Sequence, residues 1–213
     1  MPQNGLLIAA CALAVSLVSA QRFTDTFDRQ DGSPLAPPTY LSFPNLPQLT
    51  ITDHRVCSAA HGAAIVAAPF SPTMTANLTW IPFDALGMEA YLLLAAGASS
   101  SAPLVLAGCD GGHGNGGFCT PTVALFNTTQ RATGEPLAIK IGAAVRLEAA
   151  AAPTAGGSGL AVRLRVLEEG SGALLGSVSK VLQAAEPLTH AGFLVGRGGQ
   201  PTCATSFAVT GAA

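Results

Sequence analysis

Residues 109–119 read CDGGHGNGGFC, two cysteines enclosing five glycines, with Asp110, His113 and Asn115 as the polar side chains able to hold a ligand. One carboxylate, one imidazole and one amide are a poor set for calcium, which takes about six to eight oxygens, and an incomplete one for zinc. No metal is expected. A disulfide between Cys109 and Cys119 would close this loop and stabilise the fold by about 2.7 kcal/mol in the chain-entropy model, more so because glycine has the most conformational freedom to lose. The stretch therefore reads first as a structural staple, with ligand contact through Asp110, His113 and Asn115 as the alternative.

Other chemistry is sparse. Glu168 and Glu169 are the one adjacent carboxylate pair, and consecutive strand residues face opposite ways, so they read as a solvated turn before Gly170. The histidines, His54, His61, His113 and His190, are scattered. No nucleophile elbow, zinc-protease helix or phosphate loop occurs, and no catalytic residue or cofactor is expected. A sugar ring offers an apolar face and hydroxyl edges, which amphipathic aromatics suit. Aromatic residues are only 6% of the chain, and Trp80, Tyr40 and Tyr91 are the ones of that kind. Trp80 lies on an alternating strand and Tyr91 in an apolar run, whereas Tyr40 sits in a Pro-rich stretch and is the candidate for an exposed sugar contact.

The elements that must position these groups are strands. Short apolar stretches recur between Gly, Pro, Ser and Asn breaks, and none of twelve or more residues keeps an unbroken 3.6-residue stripe. In 160–167, Val162, Leu164 and Val166 alternate with Arg163 and Arg165, which puts one face in a core and two guanidinium groups outside. Residues 137–141 and 144–149 repeat the pattern. In 76–81 an outward Asn77 sends Leu78 and Trp80 inward. The continuous run 88–96 suits a central strand covered on both faces, and Asp53-His54 suits a two-residue hairpin turn. The run AAAAP at 149–153 is read as the end of a strand rather than as helix.

Residues 1–20 carry the apolar run LLIAACALAVSLV and end in Val-Ser-Ala, the pattern of a cleaved secretory signal; the run is too short to span a bilayer, which needs about 20 residues. Residues 21–213 are then one domain. Cleavage removes Cys11 and leaves four cysteines, for which Cys109 with Cys119 and Cys57 with Cys203 is the expected pairing in an oxidising compartment. Asn77 and Asn127 head N-glycosylation sequons. A net charge of -2 without a basic cluster argues against nucleic acid and anionic lipid as partners.

Two ends of the chain carry a resemblance. FTDTFDRQDGSPL, with Asp25, Phe27, Arg29, Asp31 and Gly32, resembles the opening strand of concanavalin A-like lectin/glucanase (laminin G-like) jelly-roll domains. AGFLVGRGGQPTCATSFAVTG resembles their closing strands, LTITDHRVCSA an early hairpin, and LAVRLRVL with ALLGSVSKV a late one. The resemblance implies an antiparallel β-sandwich whose first and last strands lie together, so that Phe23, Phe27 and Phe207 share a core. Tyr40 stands where the family often has a tryptophan, and Thr205 and Ser206 where it often has an acid. That departure leaves Asp25 and Asp28 as edge or loop groups rather than calcium ligands. The Glu-x-Asp-x-x-Glu spacing of family-16 glycosidases is missing. The expectation is a secreted, non-catalytic lectin-like module that binds extracellular glycan or a surface partner. A coat, wall or matrix protein without a sugar site is the alternative, followed by a polysaccharide-active enzyme.

Overall fold

The computed structural model describes residues 21–42, 46–58, 60–83, 89–97, 102–111, 118–184, 186–196 and 202–212. The expected signal segment, 1–20, lies outside them. The chain opens with β1 (Arg22–Asp25), β2 (Tyr40–Ser42), β3 (Thr50–Thr52), β4 (Arg55–Ser58), β5 (Gly62–Val66) and β6 (Met74–Ile81). The middle holds β7 (Ala90–Ala95), β8 (Leu104–Asp110), β9 (Phe118–Leu125), β10 (Arg131–Thr133) and β11 (Leu137–Ala138). It closes with β12 (Val145–Pro153), β13 (Leu160–Glu168), β14 (Leu174–Leu182), β15 (His190–Val195) and β16 (Thr202–Gly211).

All pairing is antiparallel and falls into two eight-stranded sheets. Sheet I runs β14-β13-β12-β6-β16-β4-β3, with β1 also on β16; sheet II runs β10-β9-β8-β7-β15-β5-β2, with β11 also on β9. The first and last strands pair as expected, with Arg22 opposite Thr210 and Asp25 opposite Phe207.

The two-residue period decides which side chains meet between the sheets. In β6, Met74, Ala76, Leu78 and Trp80 are buried in the core, leaving Thr75, Asn77 and Thr79 on the outer face of sheet I. Leu160, Val162, Leu164 and Val166 of β13 join them, and Arg163 and Arg165 point out. The alanine run stays extended to Pro153 because Ala149 and Ala151 fill the narrow core side between β6 and β13, which overrides alanine's helical preference. The strand expected at 137–141 is shorter, Leu137–Ala138, because the backbone turns at Ile141-Gly142, where Gly142 has φ 77°.

Phe23 lies 6.2 Å from Phe207 with the rings tilted, and Phe207 and Phe27 lie 5.2 and 5.6 Å from Phe193 of the facing sheet, so the aromatic cluster ties both termini to the core. Strand β7 is buried at every position. Its inward residues Leu92 and Leu94 belong to the main core; Tyr91, Leu93 and Ala95 face outward into a second apolar cluster with Ala63 and Ile65, on which Leu46 of the β2–β3 connection packs. The central strand is thus covered on both faces.

Candidate functional site

Tyr40 is not an exposed contact. It lies in β2 with no exposed surface, its ring edge-on to Phe23 at 5.7 Å and to Phe193 at 6.3 Å, and its hydroxyl donates to Asp25 Oδ2 at 2.9 Å. The prolines around it turn the chain from sheet I into sheet II, and that crossing carries the ring into the interlayer space. Burial first, and then the neighbouring Asp25 charge, push its phenol far above the ordinary range. Asp25 accepts from the Phe27 amide at 2.8 Å and from Arg29 as well, so it organises the entry of the chain into the core.

The four cysteines pair as expected. Cys57 and Cys203 stand directly opposite each other on β4 and β16, with Cα atoms 4.1 Å apart, and Cys109 and Cys119 bridge the ends of β8 and β9 at 5.0 Å. His113 and Asn115 lie outside the described residues. Asp110 is the last residue of β8 and forms an ion pair with Arg131 of β10 at 2.6 Å. Asn77 is half-buried on the outer face of sheet I, and Asn127 is exposed in the β9–β10 turn with φ 58°. Glu168 and Glu169 end β13 and begin its turn, as expected, with Arg146 3.8 Å from Glu169. His54 pairs with the exposed Asp28 at 2.9 Å.

What the fold gathers is a polar end beside the apolar cluster on the outer face of sheet II. Asp110 is outward because Cys109 before it is in the core, and its register partner on β9 is Thr120. Carried one residue further, the registers of β5, β15, β7 and β8 set His61, Gly196, Glu89 and Asp110 side by side. Gly196 has φ 100°, and a side chain there would strike the carbonyl oxygens of Ala60 and Ser58. With that position bare, His61 Nε2 reaches Glu89 Oε2 at 3.3 Å across it. Glu89 and Asp110 are mostly shielded, whereas His61 and Arg131 are 41% and 51% exposed.

Phe118 completes the arrangement. It opens β9 on the same outward face as Thr120 and is 43% exposed, whereas Cys119 next to it is buried in the staple. An aromatic surface beside carboxylates, a guanidinium and a hydroxyl can hold a ring that is apolar on its faces and hydroxylated at its edges. Among the described residues no three His, Cys, Asp or Glu side chains come together to hold a metal ion.

The sequence reading missed Phe118, His61, Glu89 and Arg131. Phe118 was discernible, because a residue next to a buried half-cystine on a strand must face outward. Glu89 and His61 were not, being brought together by register between strands 28 residues apart. His190 sits elsewhere on this sheet, with Nδ1 3.0 Å from Thr189 Oγ1, and burial lowers its pKa.

No family model and no curated protein matches the sequence. Solved structures do match in shape. Lectin II from Ulex europaeus is similar with a TM-score of 0.56 at 12% identity, covering 90% of this chain and 99% of that one. Basic winged bean lectin, solved with Tn-antigen, gives 0.55 at 10% identity, covering 90% and 98%. A glycoside hydrolase family protein from Mycobacterium thermorestibile gives 0.54 at 13% identity, covering 88% and 99%. Two antiparallel sheets, paired terminal strands and these likenesses identify the fold as a concanavalin A-like jelly roll.

Proposed function

We propose that the chain is a secreted, glycosylated, non-catalytic lectin-like module that binds extracellular glycan at the polar end of the outer face of sheet II. The observation that carries this reading is the exposed ring of Phe118 on the same face and at the same end as Asp110, Arg131, Glu89 and His61. The likeness in shape to lectins supports the class of ligand, and two disulfides support an oxidising, extracellular setting. A glycan array probed with the secreted protein tests it. Retention of one glycan class is the expected result; silence across the array rejects it, and turnover of a bound polysaccharide rejects the non-catalytic part.

One observation favours the alternative, a structural coat, wall or matrix protein without a sugar site. Trp80, Tyr40 and Tyr91 are all buried, so Phe118 must serve as the sugar platform without help from an indole or phenol. The same array decides between the two.

A further inference from the structure

The outer face of sheet I carries an open groove of about 590 Å³ across β6, β12, β13 and β14, within the usual range for ligand sites of roughly 300–1,000 Å³. Its lining includes Thr75, Ala150, Ala152, Ala161, Arg163 and Ser179. The floor is low because Ala150, Ala152 and Ala161 are small side chains, and Thr75 and Ser179 lie to either side of them. Arg163 is exposed and has no ion-pair or hydrogen-bond partner among the described residues.

The register extends this pattern across the sheet. Ser179, Arg163, Ala150, Thr75, Thr210 and Arg22 form one continuous row from β14 to β1. Arg163 and Arg22 stand four strands apart, about 19 Å. The next row holds Arg165 and Glu148, paired at 2.8 Å, and Arg146 lies beyond it near Glu169. Cationic charge on this face therefore exceeds acidic charge, although the whole chain is at -2.

We infer that this face is a second binding surface and that it takes an anionic polysaccharide, a chain bearing carboxylate or sulfate groups. A row of separated cations suits spaced charges along a polymer better than one small ion. The flanking hydroxyls suit sugar hydroxyls. Nucleic acid is the poorer fit, because single-stranded bases need aromatic platforms, and the face shows none among the described residues, Trp80 of β6 being turned into the core. The inference does not require the site on sheet II.

The test is binding of the secreted full chain to immobilised dextran sulfate, polygalacturonate, uncharged dextran and single-stranded DNA. All arms use protein carrying Asn77→Gln, so that no sugar on that neighbouring side chain supplies or blocks the contact. Dextran sulfate or polygalacturonate binds, and which one binds identifies the anionic group. Uncharged dextran does not. Binding weakens at least about tenfold in Arg163→Gln, the loss of one charge-assisted contact, and again between about 50 and about 500 mM salt. Neutral glycan retained on an array by sheet II does not depend on Arg163, so a loss confined to the anionic probes separates this surface from that site. Failure of both anionic polymers to bind, equal binding by Arg163→Gln, or DNA binding as tight as either polymer overturns the inference.

Discussion

The phenol of Tyr40 donates to a carboxylate that also receives the Phe27 amide and the Arg29 guanidinium, so one acid, Asp25, gathers three donors where the chain enters the core. Tyr40→Phe keeps the ring packing and removes one charge-assisted bond. It is expected to lower unfolding stability by about 1.5–3 kcal/mol, read by urea denaturation, while leaving glycan binding unchanged. An unchanged midpoint would show that Asp25 does not need the phenol. The residue types at this corner were visible in the sequence, but burial was not. A tyrosine between prolines reads as loop until one knows that the prolines turn the chain from one sheet to the other. Trp80 was easier to place, because alternation about an outward Asn77 turns it inward whatever the sheet order.

Elements were legible where a local rule fixes them. Asp53 and His54 have φ of 52° and 55°, the left-handed pair that a two-residue hairpin between twisted strands demands. His54→Gly removes the side-chain strain of that conformation at the cost of an exposed contact with Asp28. A gain of about 0.5–1 kcal/mol in chemical denaturation is expected, and a loss would mean that the His54–Asp28 pair outweighs the strain. The Cys109–Cys119 staple was legible from spacing in the same way. Cys109→Ala with Cys119→Ala should lower stability by about 2–3 kcal/mol, whereas Asp110→Ala should change it by less than about 1 kcal/mol, since its partner Arg131 stays half-exposed. Thermal melts that place the two variants together would contradict this ordering. What local rules could not give is the outer face of sheet I. Arg22, Arg146, Arg163 and Arg165 form no run in the sequence and become neighbours only through the pairing of β1, β16, β6, β12 and β13.

At the scale of the molecule, the two outer faces differ. Sheet II carries an apolar cluster on its outer surface, with Leu46 packed on it, and is polar at one end, whereas sheet I is open, small-residued and cationic. Asn127 projects from a turn at one rim, and Asn77 lies on the open sheet I, so both sequons are placed where an attached sugar could reach solvent. Secreted protein is expected to begin at Gln21 and to lose mass at both positions on enzymatic deglycosylation. Intact-mass analysis checks this, and an N-terminus at Met1 would refute the export reading.

The central claim is that glycan is held at the polar end of sheet II against Phe118. It is tested most directly by titrating the best glycan from the array into the parent protein and into Phe118→Ala, with thermal melts of both. The account predicts an affinity at least about tenfold weaker, or about 1.4 kcal/mol, for the variant at an unchanged melting temperature, because the ring is exposed and contributes contact rather than packing. Equal affinity of the two proteins for that glycan would contradict it.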